Sequence, residues 1–129
     1  MRSREPRWLT RRMLLAIQRG PIFDHHQAIV ESALAAPRKL HDRDPSADLA
    51  ALAAAYATAL AQTHGFIDGS KRAAFLAAYV FLGLNGCDIN AAEVEVAAII
   101  ERLASREMSE AELAEWLRGA WVFLPETDR

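Results

Sequence analysis

An almost uninterrupted apolar run over residues 73–84 most strongly constrains what this chain can fold into. Its sequence, AAFLAAYVFLGL, carries no charge, and Asn85-Gly86 follows it as a favourable left-handed helix end. A helix that is apolar on every side has to be surrounded by other elements. The run therefore predicts a central hydrophobic helix over about residues 70–85, and it is too short to span a bilayer.

The composition favours an all-α fold built as a single domain over residues 1–129. A hydrophobic fraction of 52% with 25% charged residues is typical of a globular protein. Alanine is abundant, glycine and proline are few, and no long alternation of β-branched residues is present. We therefore expect a compact six-helix bundle around the central helix.

Periodicity and helix breakers predict the first two helices. A helix over about residues 9–19 is stopped by Gly20-Pro21, and a second helix runs over about residues 24–34. Pro37 is expected to end the second helix, which leaves residues 38–43 as a polar link.

Asp44 followed by Pro45 predicts the start of a third helix, as an N-cap with proline at the first helical position. This helix carries a stripe of residues that is expected to be buried. His64 lies one turn beyond the end of that stripe and is therefore expected to point inward. Two capping boxes, Ser-or-Asn followed by Glu three residues later, predict the starts of the last two helices. The stripe is Leu49, Leu52, Ala53, Tyr56 and Leu60, and the capping pairs are Asn90 with Glu93 and Ser109 with Glu112.

Charge and cysteine usage predict a cytoplasmic protein. The formal net charge of −2 argues against a general nucleic-acid binder, and the N-terminal arginines are interpreted as a solvated tail and first helical turn. Cys87 is the only cysteine and has no partner for an internal disulfide. No apolar stretch of a signal peptide follows the first residues, and no membrane association is expected.

The polar segment, residues 64–72 with the sequence HGFIDGSKR, carries the candidate chemistry. It leads directly into the apolar helix, and a helix N-terminus favours anions through its free N–H groups and its dipole. A general base, a carboxylate for a metal ion and two cations at that position are the parts needed for phosphoryl or nucleotidyl transfer. These side chains are His64, Asp68, Lys71 and Arg72, accompanied by Gly65, Gly69 and Ser70.

Each of these residues also has a structural interpretation. His64 suits a general base, because an imidazole titrates near neutrality, but it can equally interact with the last carbonyls of the preceding helix. Asp68 can hold Mg²⁺ together with phosphate oxygens, or can cap the next helix. Lys71 and Arg72 lie unfavourably with the helix dipole, so their position implies a compensating anion.

The polar segment resembles the motif of the Fic/Doc superfamily, on the Doc (death-on-curing) toxin branch, which reads roughly His-x-Phe-x-(Asp/Asn)-(Ala/Gly)-Asn-Lys-Arg. Lys71 stands where the Fic branch has a second glycine, which favours Doc. The resemblance implies a toxin that transfers the γ-phosphate of ATP, with Mg²⁺, to elongation factor Tu. It also implies neutralisation by a Phd-like antitoxin. In that family His64 would be the base, Asp68 the metal ligand, and the other residues named above would bind the nucleotide, with Lys71 and Arg72 assisting catalysis.

Ser70 departs from the motif, which has asparagine at this position. Loss of one positioning contact costs roughly 2–4 kcal/mol of transition-state stabilisation if that contact acts as an oxyanion donor. We therefore expect either an attenuated kinase-like phosphotransferase or a catalytically degraded binding module. A Fic-type adenylyl transferase is the third alternative.

Overall fold

The computed structural model describes residues 5–17, 24–62 and 70–123. Within them the fold is all-α, as expected, with six helices and one short two-stranded ribbon. The helices are α1 (Arg11–Ile17), α2 (Asp24–Arg43), α3 (Leu49–Ala61), α4 (Ser70–Leu84), α5 (Glu93–Ala104) and α6 (Glu110–Ala120), and the strands are β1 (Cys87–Ile89) and β2 (Trp121–Phe123).

Helices α3 and α4 form the centre of the bundle. The predicted apolar helix is confirmed as α4, with Phe81 and Leu82 fully buried. Helix α3 shares the centre, because it packs against α2, α4, α5 and α6. Small side chains allow helix backbones to approach closely. Buried alanines of the two helices include Ala50, Ala53, Ala54, Ala57, Ala73, Ala74 and Ala77.

The prediction that Pro37 ends the second helix is wrong, and α2 continues through the expected link to Arg43. A proline inside a helix removes one backbone hydrogen bond and costs about 3 kcal/mol. Tertiary contacts offset that cost: the Pro37 ring is fully buried. Beyond it, the Arg38 guanidinium lies 5.1 Å from the centre of the Trp8 ring, and His41 meets the same ring edge-on at 5.5 Å. His41 is therefore half-buried.

The third helix begins one turn later than predicted, with Asp48 as its N-cap. The Asp48 carboxylate accepts a hydrogen bond from the Ala51 N–H at 3.0 Å. Asp44 instead closes a turn, accepting from the Ser46 N–H at 3.1 Å and the Ser46 hydroxyl at 2.6 Å. Both aspartates suit a cap, and the chain uses the one that Arg118 of α6 can reach, at 2.6 Å and 2.9 Å.

One of the two predicted capping boxes is confirmed. Ser109 and Glu112 exchange hydrogen bonds at 2.8 Å and 3.1 Å at the start of α6. Helix α5 has Ala92 as its N-cap, with no side-chain hydrogen bond, so the prediction of a box from Asn90 is wrong. The Asn90 N–H is instead bonded to the Ala120 carbonyl at 2.7 Å, which extends the ribbon beyond β1.

The ribbon joins β1 to β2 in antiparallel register, with Cys87 opposite Phe123 and Ile89 opposite Trp121. Neither strand was expected from the sequence. Cys87 is buried, and burial raises the pKa of its thiol, so the group stays protonated near neutral pH. The tail expected over residues 125–129 lies outside the described residues.

The segment before α1 is fastened to the centre of the bundle. Leu9 is fully buried and its N–H donates to the Tyr56 hydroxyl at 3.0 Å. The Asn85 side chain accepts from the Arg7 N–H and donates to the Arg7 carbonyl, at 2.9 Å and 3.0 Å. Arg11 is exposed and paired with Glu31, as a solvated first turn predicts. In the part of the chain that is described, no helix is long and apolar enough to cross a membrane.

Candidate active site

Two helix ends flank the candidate site. Helix α3 ends at Ala61 with Gln62 as its C-cap, and α4 begins at Ser70. The predicted residues His64, Gly65, Asp68 and Gly69 lie between these ends, outside the described residues, so their roles stay predictions.

The N-terminus of α4 lies where the sequence predicts it. Ser70 and Lys71 are its first two residues, although their side chains are outside the described set. Helix α4 runs for fifteen residues, so its first turn presents free N–H groups at the end of a substantial dipole. Ala73 and Ala74, just beyond, are buried and hold this turn against the bundle. The polar segment therefore leads into a firmly packed helix N-terminus, which is suited to an anion.

Arg72 is the one predicted site residue whose side chain is described, and it is exposed. It borders a groove of about 280 Å³ between α4 and α5. The groove has a largely apolar wall, and its lining includes one positively charged and one negatively charged residue. Its lining residues are Arg72, Phe75, Val96, Ala97, Ile100 and Glu101.

The wall of this groove is continuous with the core. Phe75, Val96 and Ile100 also line a small apolar cavity of about 10 Å³, which extends inward to Leu117 of α6. A space of that size and polarity does not hold a well-bonded water molecule. On the outer side, the Phe75 ring is stacked with Tyr79, the centroids being 5.8 Å apart. The groove thus has a fixed apolar wall, and Arg72 supplies a cation at its border.

Sequence reasoning missed two residues near this site, Gln62 and Arg106. The Gln62 amide donates to the Leu103 carbonyl at 3.2 Å and accepts from the Arg106 guanidinium at 2.9 Å. These contacts tie the end of α3 to the end of α5. The partners are 41 and 44 residues apart in sequence. No local pattern indicates such a pair.

Within the described ranges, no group of three or more His, Cys, Asp and Glu side chains could hold a metal ion. The expected Mg²⁺ does not require such a group. Magnesium bound with a nucleotide takes one or two carboxylates, phosphate oxygens and water, and the carboxylate proposed here is Asp68.

The fold and the site define an all-α protein in which a polar, glycine-containing segment opens onto the N-terminus of a buried helix. The model of the Fic/DOC family matches residues 7–82, more than half of the chain, and the match includes the whole polar segment. The chain belongs to the Fic/DOC family. A comparison with curated proteins finds no significant match.

The family assignment carries a general activity with it. Fic/DOC proteins are typically transferases, with AMP or phosphate transfer as the activities that the domain suggests. The match ends at residue 82, inside α4. Helices α5 and α6 lie beyond it, so the α5 side of the groove and Arg106 belong to the part of the chain that the family model does not cover.

Proposed function

We propose that this protein is a Doc-branch toxin of a type II toxin–antitoxin system. It transfers the γ-phosphate of ATP to a threonine hydroxyl of a translation factor, elongation factor Tu being the first candidate. One observation carries the proposal: α4 begins at Ser70, so the last three residues of the family motif form the first turn of a buried helix. That turn offers N–H groups and cations to a phosphate.

In the proposed transfer, His64 takes the proton and ADP is the leaving group. The threonine oxygen attacks the γ-phosphorus while its proton passes to the His64 imidazole. The bond from the γ-phosphorus to the bridging oxygen breaks, and ADP leaves with the electron pair. The products are phosphothreonine and ADP, and His64 returns its proton to solvent.

The other residues of the motif bind and neutralise charge. Asp68 holds Mg²⁺, which screens the charge of the nucleotide phosphates. Backbone N–H groups around Gly65, Gly69 and Ser70 donate hydrogen bonds to the phosphate oxygens, because glycine lets the backbone approach closely. Lys71 and Arg72 compensate the negative charge on the transferred group. The exposed position of Arg72 at the border of the groove supports this role.

Lys71 supports phosphate transfer over AMP transfer. It adds a long charged side chain to the first turn of α4, at the position where the Fic motif has a glycine. A nucleotide oriented as in the Fic branch needs close approach at that position. We therefore expect the nucleotide to bind in a different orientation, with its γ-phosphate at the site.

Ser70 favours a second candidate function, that of a silent binding module. Its hydroxyl is shorter than the asparagine amide of the motif and reaches less far toward a phosphate. A protein weakened in this way would still bind a nucleotide, or a Phd-like antitoxin whose disordered segment folds on contact. Restoring asparagine separates an attenuated enzyme from a module in which other features have also been lost.

Intact mass spectrometry of elongation factor Tu, incubated with the protein and Mg²⁺-ATP, tests the proposal. Wild type, Ser70→Asn and His64→Ala run in parallel. A phosphate increment that is larger with Ser70→Asn and missing with His64→Ala supports the proposal. An adenylyl increment assigns the Fic chemistry instead. If neither wild type nor Ser70→Asn modifies the factor, the kinase proposal is wrong for this target.

A further inference from the structure

One face of α4 is left open by the bundle. The sequence predicts that this helix is surrounded, because its apolar residues lie on every side. In the structure α4 packs against α1, α3, α5 and β1, yet residues on one side of it stay exposed or half-buried. They recur at helical spacing and define the outer face of α4, which consists of Arg72, Phe75, Leu76, Tyr79, Val80 and Gly83.

Most of the outer face of α4 is apolar. Tyr79 is 42% exposed, and its ring is stacked on that of Phe75. Among the described residues, Leu76 and Tyr79 do not join the hydrophobic core. Phe75 continues the apolar surface into the groove between α4 and α5. A contiguous apolar surface, unlike a single exposed apolar residue, marks a site of interaction.

The outer face of α4 has a bulky part and a flat part. Its large side chains lie in the first eleven residues of the helix, as far as Val80, and Gly83 is the penultimate residue. A Cβ atom added at Gly83 meets no other atom within 4 Å, so the surface there is open. A large side chain of another molecule can therefore approach the backbone of α4 at Gly83.

The two ends of this face differ in charge. Arg72 is exposed near the N-terminus of α4, and the helix has no acidic residue in its first turn and no basic residue in its last. Asp88 follows the C-terminus by four residues, in strand β1, which packs against α4. The helix dipole adds positive charge at the first end and negative charge at the second. The face is therefore positive where it is bulky and negative where it is flat.

We propose that the outer face of α4 pairs with the same face of a second copy of this chain, with the two helices antiparallel. A symmetric dimer of this kind needs a surface that is complementary to itself. With the two-fold axis between Tyr79 and Val80, Leu76 of one copy lies opposite Gly83 of the other, because both are equally far from the axis. The same direction brings Arg72 to the end that carries Asp88.

The antiparallel direction satisfies both differences between the ends. The bulky part of each copy covers the flat part of the other, and the opposed helix dipoles attract. The Arg72–Asp88 pairs lie at the rim, in water, so they set the direction of pairing more than its affinity. Arg72 can therefore turn to a phosphate, its role in the proposed function, at little cost to the dimer. The dimer itself does not depend on the proposed function.

Sedimentation velocity of the full chain, without nucleotide, tests the proposal. Wild type is expected to shift with concentration from the 14.3 kDa of one chain to twice that mass. Gly83→Arg is expected to raise the Kd of the dimer at least about 10-fold, because the added side chain holds the helices apart. It is expected to keep the fold, since the position is open and arginine favours a helix over glycine. Circular dichroism checks its helix content.

Gly119→Arg is the matched control. Like Gly83, Gly119 is the exposed penultimate residue of its helix and has no atom within 4 Å of an added Cβ, but it lies on α6. The Kd of the dimer is expected to stay at the wild-type value in this variant. Equal weakening by Gly83→Arg and Gly119→Arg would overturn the assignment of the interface to the outer face of α4.

Reversal of charge tests the direction of pairing. Arg72→Glu and Asp88→Arg each bring like charges together between the two copies, so each is expected to raise the Kd several-fold. The double variant again pairs opposite charges and is expected to return the Kd close to the wild-type value. A double variant as weak as the single ones would overturn the antiparallel arrangement.

The remaining outcomes also decide the proposal. A chain that stays at 14.3 kDa at every concentration overturns it, and the outer face is then left to a partner of another kind. A dimer that Gly83→Arg does not weaken is formed through another surface, which overturns it as well. Because every measurement is made without nucleotide or target protein, failure of the proposed phosphate transfer leaves these results unchanged.

Discussion

Tyr56 shows how one buried side chain fastens the N-terminal segment to the bundle. Both Tyr56 and Leu9 are fully buried, and the tyrosine hydroxyl accepts the Leu9 N–H at 3.0 Å. The Tyr56 ring also lies against Phe81 of α4, with a centroid distance of 5.1 Å. Burial raises the pKa of Tyr56, so its hydroxyl keeps its proton in the physiological range. The buried Leu9 N–H therefore depends on the Tyr56 hydroxyl as its acceptor.

Tyr56→Phe is therefore expected to lower the free energy of unfolding by about 1–3 kcal/mol, because it leaves the Leu9 N–H buried without an acceptor. Urea denaturation followed by circular dichroism measures the change. Tyr79→Phe is the control: Tyr79 is 42% exposed, and its loss of a hydroxyl is expected to cost less than about 0.5 kcal/mol. Equal effects of the two variants would mean that the Leu9 contact contributes nothing.

Asp48 combines two roles, as N-cap of α3 and as partner of Arg118. The hydrogen bonds from Arg118 lower the pKa of the Asp48 carboxyl below its usual value of 3.8, and the Ala51 N–H acts in the same direction. A carboxyl with a lowered pKa in the folded state stabilises the fold above its unfolded-state pKa. That contribution is lost as the pH falls through the lowered value.

Asp48→Asn keeps a good N-cap, and it removes the charge together with one of the two oxygens that accept from Arg118. Both partners are more than one third exposed, so the expected loss at pH 7 is about 0.5–1 kcal/mol of unfolding free energy. The difference from wild type is expected to shrink as the pH falls through the lowered pKa of Asp48, because the carboxyl then becomes protonated. Urea titrations at pH 7 and over a series of acidic pH values check this, and a difference that does not shrink in acid would show that the charge is not its cause.

At the scale of the elements, the starts of α5 and α6 offer a matched pair of caps. Ser109→Ala is expected to lower the free energy of unfolding by about 1 kcal/mol, because Ser109 caps α6. Asn90→Ala is expected to change it by less than about 0.5 kcal/mol, because the Asn90 side chain does not cap α5. Thermal unfolding of both variants measures the difference. A larger loss from Asn90→Ala would restore the sequence-based assignment of that cap.

The elements that the sequence predicted well are those whose signals are local and agree with one another. Helix α4 has a continuous apolar run and a clear end at Asn85-Gly86, so its bounds could be predicted. Pro37 predicts a helix end, but α2 continues beyond it, where Arg38 and His41 contact Trp8, which is distant in sequence. Asp48, which caps α3 where the sequence predicted Asp44, is bonded to Arg118, seventy residues away. The three-residue strands were beyond prediction because they pair across 32 residues or more and have no pattern of their own.

At the scale of the whole molecule, the candidate site combines residues inside the family match with residues beyond it. The motif and the packed N-terminus of α4 lie within the matched residues 7–82. The part beyond contributes one wall of the groove and, through Arg106, the support of Gln62. The motif could be read from the sequence because its residues are contiguous. The groove and the contact between Gln62 and Arg106 could not, because they join elements that are brought together only by folding.

The most direct test of the central claim is the transfer of label from ATP to elongation factor Tu by the Ser70→Asn protein. The account predicts that the factor is labelled from γ-³²P-ATP and not from α-³²P-ATP. It also predicts a rate about 100-fold above that of wild type, which is the gain expected from restoring one positioning donor. Labelling from the α-phosphate, or none from either nucleotide, would contradict the account.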